Sequence, residues 1–371
     1  MKEATVCFAS TRAVRMRGLL QRLPDLIDAV GLDFVSKDSL VAIKCHFGER
    51  GCTTFIRPVF IRAVVEKVLA RGAVPFLTDT ATLYRSARRD GARYLHQAVQ
   101  HGFTYATVLA PIMIADGLKS ENVVTVPLDE RAVHFRQVEI AGATQAADAM
   151  IVISHLKGHL VAGFGGAIKN LSMGLSSRSC KQRMHASVKP EFNEKRCVGC
   201  GVCADVCPEE AVTVVDGVAH FDLAKCSGCA ECITHCEYGA LHILWNERPE
   251  VMQEKMAEVA AGVMTGKSER TLFITFVLDV TPDCDCFPCS DRAIVPDIGV
   301  FASMDPVACD QAAVDAVNGM PGIHDTELRS GFEPGGDKLR GMRPDIDWTA
   351  QLAHAERLGL GTRRYRLQTV E

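Results

Sequence analysis

The stretch MIVISHLKGHLVAGFGGAIKN, residues 150–170, joins an apolar run to a polar, glycine-rich segment. Residues 150–154 predict a strand. Three side chains that commonly bind ligands follow it, namely His155, Lys157 and His159. Three glycines and a lysine come next, namely Gly163, Gly165, Gly166 and Lys169. A helix that starts in such a loop offers backbone N–H groups, and together with Lys169 these favour an anion.

The same alternation of strand and helix patterns extends through the first 180 residues. Short β-branched runs predict strands at 40–45 and 74–78, and apolar residues at helical spacing predict helices at 58–70 and 92–100. Strands that alternate with helices in this way are typical of a parallel sheet. We therefore predict an α/β fold, a mostly parallel sheet with helices on both faces.

This α/β pattern is interrupted by a cysteine-dense segment and then resumes. A helical pattern starts at Pro249, strand-like runs follow at 271–280 and 297–303, and Asp305-Pro306 has the form of a helix start. We predict one α/β core made of residues 1–189 and 248–371. Residues 190–247 would be a smaller module inserted into it.

Composition and charge exclude several classes of partner. The chain has 371 residues, 47% of them hydrophobic, and a net charge of −4. Nothing in this balance attracts nucleic acid or an anionic membrane. There is no secretory h-region and no apolar run near the roughly 18 residues of a spanning helix. We expect a cytoplasmic protein without nucleic-acid or membrane partners, and leave open whether it forms a homo-oligomer.

The inserted segment carries two cysteine motifs of the form C-x2-C-x2-C-x3-C. They are CVGCGVCADVCP at 197–208 and CSGCAECITHCE at 226–237. This spacing is typical of two [4Fe–4S] clusters, with the fourth cysteine of each run serving the other cluster. The first predicted ligand set is Cys197, Cys200, Cys203 and Cys236. The second is Cys226, Cys229, Cys232 and Cys207.

Zinc is the alternative for these cysteines, because zinc ribbons also use paired C-x2-C steps. One zinc ion needs only four ligands, and zinc does not explain a doubled four-cysteine run. We therefore favour iron–sulfur clusters.

Polar residues recur where other strands are predicted to end. His46 and Glu49 follow the strand at 40–45, and DTATLY at 79–84 follows the next. In a parallel sheet the ligand site usually lies outside the carboxyl ends of the strands. His155 and His159 could instead only satisfy hydrogen bonds of their loop. We expect these residues, with Lys169, to line one pocket.

A further cysteine group, DCDCFPC at 283–289, follows the strand-like run at 271–280. Because the eight cluster ligands are already assigned, Cys284 and Cys286 are additional thiols. They could bind a third metal ion, form a redox disulfide or be passive; we favour a metal or redox role.

Several of these stretches together resemble a family of uncharacterised iron–sulfur centre proteins built on a domain of unknown function. The matching stretches are HFGE (46–49), DTATLY (79–84), residues 154–174, the doubled cysteine motif, and residues 279–286 and 296–312. The resemblance implies an α/β core with an inserted two-cluster module of the bacterial ferredoxin type, but it supplies no reaction. Residues 155–169 also resemble the nickel-dependent lactate racemase family, which implies a substrate or metal pocket.

We therefore expect an iron–sulfur redox enzyme in which two clusters exchange electrons with the pocket. In the pocket, His155 or His159 would ligate a metal or transfer protons, and Lys169 would hold an anionic group. Its partner would be a redox protein or a small-molecule substrate. Two alternatives stay open: an electron-carrier or cofactor-assembly protein without its own catalysis, and a non-redox metalloenzyme with structural clusters.

Overall fold

A twisted sheet covered by helices on both faces forms the framework of the computed structural model, which describes residues 3–84, 86–186, 190–226 and 228–371. The strands are β1 (Ala4–Ser10), β2 (Leu40–Lys44), β3 (Val74–Asp79), β4 (Ile112–Ile114), β5 (Val123–Pro127), β6 (Gln137–Ala141), β7 (Ala149–His155), β8 (Lys157–His159), β9 (Gly163–Gly165), β10 (Val212–Val215), β11 (Val218–Phe221), β12 (Thr271–Val277), β13 (Gly299–Ser303) and β14 (Tyr365–Thr369).

The helices connect these strands and cover the sheet. They are α1 (Leu19–Val30), α2 (Pro58–Ala70), α3 (Gly91–Gln100), α4 (Tyr105–Val108), α5 (Gly142–Ala146), α6 (Ala167–Leu175), α7 (Arg178–His185), α8 (Val202–Asp205), α9 (Glu231–His235), α10 (Pro249–Met264), α11 (Pro306–Gly319), α12 (Lys338–Met342) and α13 (Thr349–Arg357). Short 3-10 turns lie at Glu194–Arg196 and Ser268–Arg270. Among the helices described, none has both the length and the apolar character needed to cross a bilayer.

The main sheet is almost entirely parallel. Its strand order is β14-β1-β13-β12-β7-β2-β3-β4. Every described pair in it is parallel except the two that β13 makes with β1 and β12. The predicted α/β class with a mostly parallel sheet is confirmed, and β13 is the one reversed strand among those described.

The central strands are buried on both faces, as expected for a sheet covered by two layers of helices. On β7, Met150 and Val152 pack into the hydrophobic cluster that includes α6, α10 and α11. Ile151 and Ile153 point to the other face and pack with α1 and α2. This alternation explains why the run is apolar at every position instead of at every second one.

Helix starts and stops follow local chemistry. Pro58 begins α2 at a position where a missing N–H costs nothing, and Gly72 lies just beyond its end with a φ of 71°. Asp305 caps α11 by accepting hydrogen bonds from the backbone N–H groups of Val307 and Ala308, both at 2.9 Å. The predicted helices at 58–70 and 92–100 are confirmed as α2 and α3.

Residues 190–247 build a small unit around α8, α9 and the β10–β11 hairpin. Its few buried apolar residues pack with the end of the preceding core segment, in a cluster that contains Ala186, Ala230, Ile233, Leu241 and Leu244. The predicted boundary at residue 189 falls among residues 187–189, which lie outside the described residues. The proposed division into core and insertion therefore stays a prediction.

Truncation of a core ring should test the two-layer packing. Phe276 on β12 is fully buried, and its ring centroid lies 5.2 Å from that of Phe60 on α2. Phe276→Ala should lower the free energy of unfolding by about 3–5 kcal/mol, because it removes buried contacts and leaves a cavity. Chemical denaturation measures this change. Leu367→Ala, on the half-exposed edge strand β14, is the matched control and should change stability by less than about 1 kcal/mol.

Candidate functional site

One cavity lies at the carboxyl edge of the parallel strands. The adjacent strands β12, β7, β2 and β3 all end there, and the cavity has a volume of about 430 Å³. The sequence-predicted residues that line it are His46, His155, His159, Lys169, Cys284 and Cys286. Glu49 does not line this cavity; its place beside it is described below. The structure thus brings together residues that lie far apart in the chain.

A buried carboxylate, Asp285, joins the end of β7 to the cysteine segment that follows β12. Both of its oxygens lie 3.0 Å from His155 Nδ1, and Oδ2 lies 3.1 Å from Lys157 Nζ. Burial opposes ionisation of Asp285, but His155 and Lys157 outweigh it and hold the pKa of this carboxyl well below its usual range. The other imidazole nitrogen of His155, Nε2, lies 2.7 Å from the Leu278 carbonyl oxygen.

A second buried carboxylate, Asp79, joins the ends of β2 and β3. It lies 3.0 Å from Lys44 Nζ and 2.9 Å from His46 Nδ1, and it accepts a short hydrogen bond from the Tyr94 hydroxyl. Burial raises the pKa of Asp79, but Lys44 and His46 lower it further, so the pKa falls well below its usual range. Lys44 also donates to Asn170 Oδ1 on α6 at 2.6 Å.

The three predicted histidines differ in which ring nitrogen, if any, has no hydrogen-bond partner among the described residues. Both ring nitrogens of His155 face acceptor oxygens, so it could ligate a metal only by losing one of these partners. His159 Nδ1 accepts backbone N–H bonds from Val161 and Ala162 at 3.2 and 3.0 Å, which leaves its Nε2 as the protonated nitrogen. Burial and the nearby Lys169 hold the pKa of His159 well below its usual value, so this ring is neutral.

His46 is the histidine with a ring nitrogen that is available to accept a hydrogen bond or a proton. Its Nδ1 faces the Asp79 carboxylate, so the proton sits on that nitrogen. Its Nε2 is buried without a hydrogen-bond partner among the described residues. Burial and Arg88 lower the pKa of His46, and Asp79 opposes them only in part. Asp79 and His46 therefore have the geometry of a carboxylate-oriented general base.

The glycine-rich start of α6 does bind a carboxylate, but one that belongs to this chain. The backbone N–H groups of Ala167 and Ile168 donate to Asp310 of α11 at 2.6 and 3.0 Å. A Cβ on Gly166 would lie 2.3 Å from Asp310 Oδ1, so glycine is required for this approach. Burial raises the pKa of Asp310 to about 7, against these hydrogen bonds. The anion expected at this helix start is thus internal, and Lys169 alone extends toward the cavity.

Two cysteines and a lysine form the most reactive group of the cavity. Lys169 Nζ donates to Cys284 Sγ at 3.5 Å, and the Cys286 thiol donates a hydrogen bond to the same sulfur. This thiol hydrogen bond, assisted by Lys169 and Lys157, outweighs burial and holds the pKa of Cys284 well below its usual value. The same bond raises the pKa of Cys286, which keeps its proton. The lowered pKa of Cys284 favours its thiolate, the nucleophilic form of cysteine.

Glu49 acts on the cavity through Arg88. Its carboxylate accepts from Arg88 Nε at 2.9 Å, and both side chains are about 5% exposed. Burial opposes ionisation of Glu49, but Arg88 and the Arg50 N–H group keep the pKa of Glu49 below its usual range. Arg88 also donates to the Tyr84 hydroxyl at 2.8 Å, and both Arg88 and Tyr84 line the cavity.

Three lining residues have no signal in the sequence strong enough to single them out. Lys181 on α7 donates to Thr80 Oγ1 at 2.8 Å, and burial lowers the pKa of Lys181 to about 8. His185 ends α7, and burial with nearby Lys169 lowers the pKa of His185 to about 3. Trp245 follows the second cysteine motif, and its ring packs on His185 with centroids 4.5 Å apart. A lysine inside a helical pattern looks like any surface lysine until the fold is known.

The cysteine motifs border two further small cavities. One is lined by Cys207, Cys226, Cys229 and Cys232. The other is lined by Cys197, Cys200, Cys203 and Cys236. These are the groupings that crossed cluster ligation requires.

The backbone around these cavities suits thiolate ligands. The Ala211 N–H donates to Cys207 Sγ at 3.3 Å, the kind of N–H to sulfur bond that tunes a cluster. Gly199 has a φ of 65°, and a Cβ there would lie 2.4 Å from the Gly217 carbonyl oxygen. The donor set and the glycine cradle fit iron–sulfur clusters.

Within residues 3–84, 86–186, 190–226 and 228–371, no group of three or more His, Cys, Asp or Glu side chains is positioned to hold a metal ion. The third metal site expected at Cys284 and Cys286 would therefore have to recruit ligands by rearrangement, and it stays a prediction.

Known proteins match short parts of this chain. It is 38% identical over 86 residues to a selenate reductase subunit of Mesobacillus selenatarsenatis, and 27% identical over 90 residues to an uncharacterised ferredoxin of Methanocaldococcus jannaschii. These matches cover 21% and 22% of this chain, and 30% and 57% of those proteins. The chain thus spans less than two thirds of the length of either relative.

Solved structures give a weaker likeness. The lactate racemase apoprotein from Thermoanaerobacterium thermosaccharolyticum is 14% identical and superposes with a TM-score of 0.45, over 85% of this chain and 58% of that one.

The family described as a domain of unknown function, DUF362, matches residues 41–315, which include most of the sheet, the cysteine motifs and the cavity. The chain belongs to this DUF362 family.

Proposed function

We propose that this protein is an iron–sulfur oxidoreductase in which two [4Fe–4S] clusters exchange electrons with a small anionic substrate in the core cavity. The observation that carries the proposal is the shared wall: Trp245 of the cysteine module lines the cavity, beside His185 of the core. The relatives named as a ferredoxin and as a reductase subunit support an electron-transfer role.

The inserted module would hold the clusters in the two crossed sets of four cysteines that line its small cavities. When bound, such clusters supply one-electron transfer. The chain holds the module against the core through Gln182, whose side chain bonds both the N–H and the carbonyl of Leu244 at 3.1 and 2.8 Å. An ion pair between Arg89 and Glu237 at 3.3 Å adds a contact next to Cys236.

The charge of the cavity favours an anion. Among the described residues, the cationic side chains that line it are Lys44, Lys157, Lys169, Lys181 and Arg88, whereas its carboxylates are Asp79 and Asp285. Because this positive excess is buried, an incoming anion would interact with it more strongly than at a surface. Lys169 is the cation placed beside the Cys284 thiolate, so it would hold an anionic group next to that sulfur.

Proton handling would fall to His46 and His159. His46 Nε2 accepts a proton while Asp79 holds the opposite nitrogen and stabilises the imidazolium that results. His159 is neutral and offers its Nε2–H as a hydrogen-bond donor. Leu160, Val161 and Phe287 supply apolar wall that limits water around these groups.

A second candidate is an electron carrier that passes electrons between other proteins and has no chemistry of its own. The ferredoxin name of one relative favours it. Under this hypothesis, substitutions in the cavity would not affect electron exchange by the clusters.

The cluster content is the first test. Anaerobically prepared protein should contain about 8 iron and about 8 sulfide per chain, from two [4Fe–4S] clusters. Cys200→Ser and Cys229→Ser should each halve the iron and the sulfide content, because each removes a ligand of a different cluster. Iron and sulfide analysis with EPR measures this. Cys289→Ser, at an exposed cysteine outside both sets, is the control and should retain the full content. Stoichiometric zinc in these positions would contradict the proposal.

Lys169 should control reaction with anions. Dithionite-reduced protein, freed of excess dithionite and mixed anaerobically with the reducible anions sulfite and nitrite, should be reoxidised by at least one of them. Lys169→Gln should slow this reoxidation at least tenfold, because the cavity loses the cation beside Cys284. Stopped-flow absorbance of the clusters measures the rate. Lys119→Gln, at an exposed lysine, is the matched control. Equal rates in both variants would favour the carrier alternative.

Lys181 should make stability depend on pH in an alkaline window. Since burial lowers the pKa of Lys181 to about 8, the unfolded chain binds more protons than the folded chain between pH 8 and about 10.5. The free energy of unfolding should therefore rise with pH in that window, by about 3 kcal/mol from this group. Melting temperatures of wild type relative to Lys181→Met report it. A constant difference from pH 7 to pH 10 would show that Lys181 has an ordinary pKa.

A further inference from the structure

The backbone of the segment Cys284–Cys286 is fixed at three consecutive carbonyl oxygens. The Cys284 carbonyl accepts from the Phe287 N–H at 2.9 Å, and the Asp285 carbonyl accepts from the Glu49 N–H at 2.9 Å. The Cys286 carbonyl accepts from the Tyr84 hydroxyl at 3.0 Å. These contacts hold the backbone of the segment in one place, two of them to other loops of the protein.

The aspartate and the two cysteines of this segment have different surroundings. Asp285 turns into the protein, where His155 and Lys157 hold its carboxylate. Cys284 and Cys286, on either side of Asp285 in the chain, both line the cavity. Lys169 donates its hydrogen bond to the Cys284 sulfur, at 3.5 Å. The two thiols are therefore chemically unequal although they are neighbours.

Access to the pair is also unequal. Cys284 is buried and lines the inner cavity, whereas Cys286 lines both that cavity and an outer groove of about 1060 Å³. Tyr84 and Pro288 also line both spaces, so they and Cys286 form the wall between them. A sulfur in this wall can be reached from the protein surface as well as from the substrate side.

We propose that Cys284 and Cys286 are a redox-active dithiol that forms a reversible disulfide in the wall of the cavity. On oxidation the sulfur–sulfur bond forms, the Cys286 S–H bond breaks and releases one proton, and two electrons leave. The acceptors are two one-electron carriers of the iron–sulfur class. On reduction the same two electrons and one proton restore the Cys284 thiolate and the Cys286 thiol.

This inference rests on the proposed function and explains how one-electron clusters could serve a substrate that exchanges an electron pair. A substrate that exchanges an electron pair cannot react directly with one-electron carriers without a radical step. A dithiol can exchange an electron pair with a substrate, and it would exchange single electrons with the clusters in two steps, so that the radical step falls on sulfur and not on the substrate; the cysteine motifs offer ligands for two clusters. The neighbouring Lys169 would stabilise the thiolate form on each return to the reduced state.

Thiol trapping on the holoprotein tests the proposal. Samples reduced with a phosphine or oxidised with diamide, both without oxygen, are quenched with acid and labelled with N-ethylmaleimide. Trypsin should cut after Arg270 and Arg292, so one peptide contains Cys284, Cys286 and Cys289. We expect three labels on this peptide from the reduced protein and one, on Cys289, from the oxidised protein.

Variants of this peptide assign the disulfide to two specific sulfurs. Cys289→Ser should still lose both remaining labels on oxidation, whereas Cys286→Ser should keep both of its labels in either state. A disulfide that requires Cys289, or full labelling after oxidation, would overturn the proposal, and so would a third metal ion lost in Cys284→Ser.

Iron and sulfide content of the same samples is a separate readout. Protein with two clusters but no disulfide would refute only the dithiol, whereas protein that forms the disulfide without clusters would refute only the electron-transfer role.

Discussion

Ionised groups buried at the carboxyl edge of the sheet constrain the rest of the site. Asp285 and Asp79 are each less than 5% exposed and each ionised, a state that is costly unless every charge is paired. Asp285 receives its partners from the end of β7, and Asp79 receives them from the end of β2. Loss of any one partner would leave an uncompensated charge, so the strand ends and the cysteine segment must stay in a single arrangement. That arrangement places Lys169 against Cys284.

Much of the framework follows from local pattern. The apolar runs predict β2, β3 and β7, and the proline and aspartate signals predict where α2, α3 and α11 begin. The reversed direction of β13 has no such signal, because a fully buried strand reads the same in either direction. Polar residues that follow parallel strands predicted one shared pocket, and His46, His155 and residues 79–84 all line the cavity.

The pairings within the site could not be predicted in the same way. His155 and Asp285 are separated by 130 residues, and Asp310 reaches the start of α6 across 143. No local pattern indicates which carboxylate will meet which N–H group, since that depends on how helices pack on the sheet. Lys44 is the exception: a lysine that ends an otherwise apolar strand needs a buried partner, and Asp79 supplies it. No comparable feature of the sequence indicates that Lys181 is buried.

The chain before the cysteine-rich segment lies next to the chain that follows it. The Glu247 N–H donates to the His185 carbonyl at 3.1 Å, so the chain on either side of the insertion is already within hydrogen-bond distance. A short turn could join these ends without stretching any strand of the sheet. Because these two points of the chain already lie together, the length of the cysteine-rich segment between them could vary without displacing the strands of the sheet.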